Sequence, residues 1–429
     1  MFKKYRWFIV FLLFLAGAFN YMDRVAFSIT APFIAEEFNL TPTQLGLLFS
    51  SFFIGYAIFN FIGGYLADRY GPRKVFGGTL ALWSLFIGAT AITYNFASLY
   101  ISRLLFGFAE GPVGTTSNKM VNNWFPAKER ATAIGIYTAG MPLGGAIAAP
   151  LVGLIAIQFG WRTAFVVLMI LGLLLAYIWM KLTKDYPQQH PKVSEAELRE
   201  IQLDQRNDSD TSKTEKVSLW KIIKHPTILF TAVAFFAYNY NNFFFLTWFP
   251  SYLTDAKNLS VHDMSIVTII PWLVGAIGLL AGGFLSDYIY KKTKKLMFSR
   301  KIILAIGLFG AALCVGFVVL VETAAAAVAL MAIAVFFLYL TAMIYWAIIQ
   351  DTVPRNNVGT AGGFIHLISN ISGIIAPTVT GYFIESTGTF NIAFFLAASL
   401  AILGSLAVVF FVKPIKTEID TVNTNTFHN

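Results

Sequence analysis

The stretch Gly63-Gly64-Tyr65-Leu66-Ala67-Asp68-Arg69-Tyr70-Gly71-Pro72-Arg73-Lys74 ends the second long apolar segment, and it decides the fold because its first half occurs twice. It returns 219 residues later as Gly282-Gly283-Phe284-Leu285-Ser286-Asp287-Tyr288, with Asp287 in the place of Asp68. A second pair of matching stretches, residues 126–135 and 354–363, is separated by 228 residues. Matches in the same order and at similar shifts indicate two duplicated halves, and parallel repeats of this kind place a site where the halves meet.

The composition places both halves in a membrane. The chain has 429 residues, of which 57% are hydrophobic and 12% charged, and its mean hydropathy is +0.67. A helix needs about 20 apolar residues to cross a hydrocarbon core of about 30 Å. We therefore predict an all-α membrane protein with twelve transmembrane helices in two six-helix, pseudo-symmetric halves. The predicted spans are residues 7–35, 44–66, 75–93, 97–121, 130–156, 162–182, 226–251, 264–286, 301–321, 324–349, 358–383 and 388–412.

Polar segments divide the chain into four parts. Residues 1–182 form the N-terminal bundle, 183–224 a cytoplasmic linker, 225–413 the C-terminal bundle and 414–429 a cytoplasmic tail. In the linker, Ser194 and Glu197 have the spacing of a capping box, which predicts a short surface helix through Ile201. The polar composition of residues 207–216 and of the tail from Lys416 predicts flexibility.

The net charge of +9 reflects membrane topology. With both termini in the cytoplasm, 27 of the 31 Lys and Arg residues fall in the termini and cytoplasmic loops, and Arg162 and Lys257 lie outside. This asymmetry follows the positive-inside rule, so the basic residues are expected to face anionic lipid of the bilayer rather than nucleic acid.

Enzymatic chemistry finds little support in the sequence. The five histidines are scattered without metal-ligand spacing, and no nucleophile motif occurs. Cys314 is the only cysteine, so no intrachain disulfide can form. We expect no cofactor, no metal and no catalytic residue, and we expect a monomer; a membrane-embedded enzyme is the remote alternative.

Two pairs of charges lie inside predicted spans and need a physical reason. Asp23 and Arg24 follow an uncharged run within the first span, and Arg103 and Glu110 lie seven residues apart in the fourth, which is two helical turns and one face. A charge near the bilayer centre costs roughly 2.5 to 3.5 kcal/mol on insertion scales. We expect the four charges to pair in a wet central cavity that forms an ion or substrate pathway; the alternative is an inert buried salt-bridge cluster.

Together these motifs resemble a known family. Two six-helix repeats with GGYLADRYGPRK between spans two and three resemble the major facilitator superfamily. The stretches NYMDR (20–24), RLLFGFAEGP (103–112), NNWFPAKERATAIG (122–135) and FFLTWFPSYL (244–253) resemble its anion:cation symporter family. That family includes bacterial carriers of galactonate, glucarate and hexuronates. The resemblance implies proton-coupled transport of an organic anion by alternating access, in a bacterial inner membrane.

The resemblance also implies roles for individual residues. Arg24 is expected to meet the substrate carboxylate, Asp23 and Glu110 to take protons, and Arg103 to couple to Glu110. The pocket is expected to be lined by Asn20, Tyr21, Tyr56, Asn239, Trp346, His366 and Asn370. Packing and interhelical hydrogen bonds are the alternative for these aromatic and amide side chains. Asp68 and Asp287, which follow the repeated glycines, are expected to act as charge latches between conformations.

The substrate is the least determined part of the interpretation. His366 stands where many relatives carry asparagine, and Met141 stands where the sugar-acid carriers often carry glutamine. We expect a sugar acid such as a hexonate or hexuronate. A carrier of an aromatic or short aliphatic carboxylate and an anion exchanger are the alternatives.

Overall fold

The computed structural model describes residues 4–209, 224–353 and 357–413, and the regular elements in these ranges are all helices. The N-terminal half is built from α1 (Tyr5–Phe38), α2 (Pro42–Tyr70), α3 (Pro72–Ala89), α4 (Phe96–Glu110), α5 (Val113–Trp124), α6 (Ala127–Phe159) and α7 (Trp161–Leu182). The linker contributes α8 (Glu195–Ser209). The C-terminal half comprises α9 (Pro226–Ser251), α10 (Val261–Val267), α11 (Ile269–Thr293), α12 (Leu296–Phe317), α13 (Ala324–Thr341), α14 (Ile344–Thr352), α15 (Val358–Thr387) and α16 (Asn391–Phe411).

These helices agree with twelve spans. By length and apolar composition alone, ten helical segments in the described ranges can cross a membrane. The two further spans are the pair α4 and α5, which carries Arg103 and Glu110, and α9, whose centre is the polar run from Tyr238 to Asn242. These spans are less apolar because they carry the polar groups of the protein centre. The prediction of an all-α, two-half membrane protein is confirmed.

The fourth span is not one continuous helix, as the expected segment 97–121 implies. It breaks between Glu110 and Val113, where Gly111 and Pro112 separate α4 from α5. Pro112 has no backbone N–H and so cannot continue the helical hydrogen bonds. At the break, Asn60 on α2 donates through Nδ2 to the Gly111 carbonyl at 3.3 Å. Arg103 and Glu110 nevertheless both lie on α4 and are both buried. A corresponding break separates α13 from α14 in the second half.

The two halves meet tightly at one side of the membrane. We call the side at which α1 begins and α7 ends the terminal face, and the other side the opposite face. Towards the opposite face, the Thr43 backbone N–H donates to the Glu385 carboxylate at 3.0 Å, and the Ser50 hydroxyl donates to the Ile374 carbonyl at 2.7 Å. A Cβ on Gly46 would lie 2.5 Å from the Pro377 carbonyl oxygen. The protein is therefore closed at its opposite face, where α2 packs against α15.

The linker folds onto the N-terminal half. Its helix begins as predicted, with the Glu197 backbone N–H donating to the Ser194 hydroxyl at 3.2 Å, but it continues to Ser209 rather than ending at Ile201. The fully buried Arg6 binds Glu129 of α6 and Glu200 of α8, each at 3.0 Å. The expected flexible segment beyond residue 209 and the tail from Lys416 lie outside the described residues.

Candidate functional site

The centre of the site is an ion pair between α1 and α4. Because α1 runs unbroken from Tyr5 to Phe38, Asp23 and Arg24 are held deep in the protein rather than at a helix end. Arg24 donates through Nε to Glu110 Oε1 at 2.6 Å, and a second guanidinium nitrogen contacts the same oxygen. The Glu110 side chain is fully buried and that of Arg24 is 8% exposed. Removing either partner of such a buried pair would leave the other as an uncompensated charge away from water, which is strongly destabilising.

Aromatic rings surround the Arg24 guanidinium. Its carbon lies 4.6 Å from the centroid of Tyr56, 5.1 Å from that of Phe52 and 5.4 Å from that of Tyr21. These distances permit cation–π attraction, which strengthens when the cation is desolvated. Tyr21 and Tyr56, both expected to line the pocket, thus lie beside Arg24.

The second acid is separate from this pair. Asp23 is fully buried, and Trp83 of α3 donates through Nε1 to its Oδ2 at 3.0 Å. Its other oxygen, Oδ1, has no hydrogen-bond partner in the described part of the chain, and the same holds for Glu110 Oε2. A buried acceptor without a donor is costly, and a proton on the carboxyl group would remove the charge. Both acids therefore have an oxygen at which a proton could be held.

Arg103 lies near Glu110 without a direct ion pair. The side chain was expected to couple to Glu110, and it is close enough to that carboxylate for an electrostatic interaction, but Glu110 is held by Arg24, and no carboxylate of the described residues lies within 4.0 Å of Arg103. Its guanidinium carbon instead lies 4.4 Å from the ring centroid of Phe27 and 5.2 Å from that of Phe52. Its Nε and one terminal nitrogen are buried without a partner among those residues. Among the described residues the Arg103 guanidinium is therefore surrounded by aromatic rings rather than held in a direct ion pair.

The C-terminal half contributes a polar and aromatic wall. His366 Nδ1 and Asn370 Nδ2, one turn apart on α15, are 2.8 Å apart, and this contact fixes the orientation of the imidazole ring. The His366 ring centroid lies 6.0 Å from Trp346 and 5.9 Å from Phe235. His366 is also close enough to Arg24 for an electrostatic interaction across the two halves. The structure therefore brings Trp346, His366 and Asn370 together, facing the Arg24 side of the protein.

The asparagines expected in the pocket differ in their surroundings. Asn20 and Asn239 are buried; Asn20 makes no hydrogen bond within 3.5 Å through Nδ2 among the described residues, but its side chain lies beside the Glu110 carboxylate. Asn241, in the same polar run as Asn239, donates to the Ala397 carbonyl of α16 at 3.0 Å, which is a packing contact. Met141 is partly buried against the core, near Gly17 of α1.

The two expected latches lie at the terminal face, away from the buried charges. Asp68 forms an ion pair with Lys119 of α5 at 2.7 Å, and Asp287 forms one with Arg300 of α12 at 3.4 Å. Both aspartates are exposed. Each latch therefore has a basic partner within its own half.

Two further residues belong to the site but carry no signal in the sequence. Trp83, the partner of Asp23, is one apolar residue among many in the third span. Trp272 of α11 lies edge-on to Tyr21 at 5.9 Å and tilted against Phe245 at 5.1 Å, so it joins the halves on the opposite-face side of Arg24. Neither has a periodic or motif context that distinguishes it from a packing residue.

Fold and site together define a class of protein. Two duplicated helical halves, closed at one face around buried acids and arginines, are the architecture of a secondary transporter. No group of three or more metal-binding side chains occurs within the described ranges.

The chain belongs to the Major Facilitator Superfamily, whose family profile matches residues 13–377. It is thus a multi-pass membrane transporter and not an enzyme. The hexuronate transporter of Bacillus subtilis is 54% identical over 417 residues, covering 97% of this chain and 96% of that protein. The probable galactarate/D-glucarate transporter of the same species is 35% identical, with 96% and 92% covered. The D-galactonate transporter of Escherichia coli is 30% identical, with 96% of each chain covered. The family expected from the sequence motifs is confirmed.

A solved structure shows the same fold. A bacterial homologue of the human lysosomal transporter Spinster, described as inward-facing and occupied, superposes with a TM-score of 0.72 over 96% of each chain at 21% identity.

Proposed function

We propose that this protein is a proton-coupled symporter that carries a sugar acid, most specifically a hexuronate, across the membrane by alternating access. The observation that carries the proposal is the Arg24–Glu110 ion pair, buried beside a second acid. A guanidinium binds a carboxylate in a planar fork, and here the fork is already occupied by a carboxylate of the protein itself. A substrate carboxylate must therefore compete with Glu110.

Protonation resolves this competition. When Glu110 takes a proton it loses its charge, and Arg24 is left with a desolvated positive charge that a substrate carboxylate can neutralise. Asp23 holds a second proton site one residue away on α1. A loaded carrier with both acids protonated has no uncompensated acid in its centre, which removes the electrostatic barrier to closing around the substrate. The protons and the anion then leave on the same side.

The rest of the cavity supports a hydroxylated substrate. Asn370 orients the His366 ring through Nδ1, which leaves the other ring nitrogen for a substrate hydroxyl group, and Trp346 offers a ring face beside it. Hydroxyl groups need such hydrogen-bond partners, while the carbon face of a sugar ring packs on an aromatic side chain. Relatives whose names specify hexuronate, galactarate, glucarate and galactonate support a sugar acid.

Reconstitution tests the proposal directly. Purified protein in proteoliposomes should accumulate radiolabelled glucuronate or galacturonate under an inward proton gradient, and a protonophore should abolish the accumulation. Unlabelled hexuronate should compete better than benzoate, and neutral glucose should not compete. If the protein exchanges substrates but does not accumulate them under a pH gradient, it is an anion exchanger and not a symporter. If benzoate competes better than hexuronate, the sugar-acid assignment is wrong.

The orientation belongs to the same proposal. Basic residues concentrate at the terminal face, including Lys4, Lys119, Lys128 and the lysines between 291 and 295. The positive-inside rule places this face, with both chain termini, in the cytoplasm of a bacterial inner membrane. A tag inserted at Gln205 tests the orientation. If the tag can be labelled from outside intact cells, the terminal face lies outside the cytoplasm and the proposed orientation is wrong.

A further inference from the structure

One side of α9 carries a single amide among aromatic side chains. Phe235, Tyr238, Asn242 and Phe245 follow one another at spacings of three, four and three residues, so they lie along the same side of the helix. All four are buried. We call these four residues the α9 stripe, and Asn242 is its one amide.

Both ends of the α9 stripe contact residues of the site. At one end, the Phe235 ring centroid lies 5.9 Å from that of His366. At the other end, the Phe245 ring centroid lies 5.1 Å from that of Trp272, which is in turn 5.9 Å from that of Tyr21. The α9 stripe therefore runs along the site from the polar wall of α15 to the place where Trp272 joins the two halves.

Within the stripe, Asn242 lies beside a residue that covers the Arg24 guanidinium. Asn242 is 4% exposed, and its side chain lies next to the Tyr21 hydroxyl group, across the boundary between the halves. The Tyr21 ring centroid is 5.4 Å from the Arg24 guanidinium carbon. A carboxylate bound to Arg24 is thus one tyrosine ring away from the Asn242 amide, a distance that a hexuronate can span.

The amide oxygen of Asn242 lacks a donor. Oδ1 is buried and has no hydrogen-bond partner among the residues that the structure describes. A buried acceptor without a donor is costly, and a donor supplied by a ligand would remove that cost. A hydroxyl group of a substrate is such a donor.

The neighbouring amide of α9 has a different use. Asn241 lies about 100° around the helix from Asn242. Its Nδ2 donates to the Ala237 carbonyl of the same helix and to the Ala397 carbonyl of α16, each at 3.0 Å. Its Oδ1 is also without a partner within the described ranges, so an unpaired oxygen alone does not mark a ligand site. The feature that distinguishes Asn242 is its position beside Tyr21.

From this geometry we propose that Asn242 is a specificity-determining residue, which accepts a hydrogen bond from a hydroxyl group of the substrate whose carboxylate binds Arg24. The inference rests on the proposed function, because it requires an organic anion at Arg24. It separates one class of anion from another: a hydroxylated acid satisfies Oδ1, whereas an acid with an apolar body buries that oxygen without a donor. Asn242 therefore favours sugar acids over aromatic and aliphatic carboxylates.

The experiment measures ligand binding through thermal unfolding of the full-length protein in detergent. Galacturonate is compared with cyclohexanecarboxylate, which has a six-membered ring and a carboxylate but no hydroxyl group. A ligand that binds the native state raises the unfolding temperature, so a titration gives an apparent dissociation constant for each acid. The readout is the ratio of the two constants, and it needs no proton gradient.

Matched variants locate the effect. Asn242→Leu keeps the approximate size of the side chain and removes its hydrogen bonds, and we expect the preference for galacturonate to fall about tenfold through weaker binding of that acid. Asn242→Ser keeps a shorter polar group and should lower the preference about threefold. The control Asn241→Leu removes an amide from the same helix and should leave the preference at the wild-type value.

An unchanged preference in Asn242→Leu, or an equal fall in Asn241→Leu, would overturn this inference alone. If Asn242→Leu does not fold, an unchanged preference in Asn242→Ser overturns it in the same way. If the wild type binds neither galacturonate nor glucuronate, the proposed function is wrong, and this inference fails with it.

Discussion

At the scale of single residues, the protein separates two acids that the sequence presents as equivalent. Glu110 is bound to Arg24, whereas the hydrogen bond that Asp23 accepts within the described ranges comes from the indole of Trp83. Removing Glu110 therefore changes the guanidinium that we propose binds the substrate, and removing Asp23 leaves the Arg24–Glu110 contact in place. The two acids are expected to act at different steps of the same cycle.

Charge-neutral variants of the acids test this division. Asp23→Asn and Glu110→Gln should each abolish accumulation driven by a proton gradient, because neither amide can release a proton. Substrate-for-substrate exchange should survive in at least one variant, since a neutral amide imitates the protonated carrier. The measurement is uptake and counterflow in proteoliposomes, with Glu322→Gln at the exposed opposite face as the control. Normal pH-driven accumulation in both variants would remove both acids from the coupling mechanism.

Arg24→Lys tests the planar fork. The lysine keeps the charge but cannot bind Glu110 or a substrate carboxylate through two nitrogens, and it stacks less well on Tyr21 and Tyr56. Loss of one charge-assisted hydrogen bond of about 1.5–3 kcal/mol corresponds to at least a tenfold fall in the ratio kcat/KM for uptake. Initial rates over a substrate series measure it. Uptake kinetics equal to the wild type would show that Arg24 does not bind the carboxylate.

Met141→Gln tests the lining of the pocket. If the side chain faces the substrate, an added amide should improve or preserve uptake of gluconate-like acids relative to benzoate-like acids, because it can bind a hydroxyl group. Competition by both classes of acid against a labelled hexuronate measures the ratio. A shift in favour of benzoate-like acids would place residue 141 outside the pocket.

At the scale of helices, the linker behaves as part of the N-terminal half. Glu200 lies between Lys4, Arg6 and Lys128, and the hydrogen bond from Lys4, followed by that from Arg6, lowers the pKa of its carboxyl group to about 2. Against an ordinary value near 4.3, a lowered pKa stabilises the folded state fully above the unfolded-state value and loses that effect as the pH falls towards 2. This cluster therefore stays ionised throughout the range in which a proton-coupled carrier works.

Glu200→Gln should accordingly lower the unfolding temperature without changing the pH profile of transport between pH 5 and 8. The loss is about 1–2 kcal/mol, because the carboxylate is partly exposed and part of its attraction is screened. The control is Glu195→Gln on the same helix, whose side chain is 90% exposed and pairs only with Arg199 among the described residues. A changed pH profile in the Glu200 variant would show that the linker takes part in proton coupling.

At the scale of the whole molecule, the opposite face can close only if the α6 backbone of the N-terminal half comes close to a side chain of α11 in the C-terminal half. Gly145 of α6 faces the indole of Trp272, and an added Cβ would lie 2.7 Å from ring atoms. Trp272 is 1% exposed and confined by Tyr21, Phe245 and Tyr339, so the ring has no free space into which to move. Overpacking of this kind costs about 1–3 kcal/mol.

Gly145→Ala should therefore shift the population towards the conformation that is open at the opposite face. Spin labels at Gln158 and His262, which are exposed on either side of the closure, would report a longer distance in a Cys314→Ala background. Gly135→Ala on the same helix is the control, because its added methyl group meets nothing within 4 Å. Identical distance distributions in the two variants would show that Trp272 does not limit closure.

The sequence by itself determined the membrane architecture. Hydropathy and the repeat that pairs Asp68 with Asp287 were sufficient for two six-helix halves, since apolar length and duplication are local properties of the chain. They also placed Asp23, Arg24, Arg103 and Glu110 inside spans, and Ser194 at the start of the linker helix. Each of these conclusions depends only on residues that are close together in the sequence or on the helical repeat, and both can be read without knowing how the helices pack.

Only the tertiary structure decided which groups meet. Helical spacing gives a face but neither the rotation of one helix against another nor its depth in the membrane, so it could not show that Arg24, rather than Arg103, binds Glu110. The indole donor of Trp83 for Asp23 and the contact of Trp272 with Tyr21 depend in the same way on helices far apart in sequence. The pairing of buried charges is a property of packed helices, because each charge takes the partner that packing places within hydrogen-bond distance.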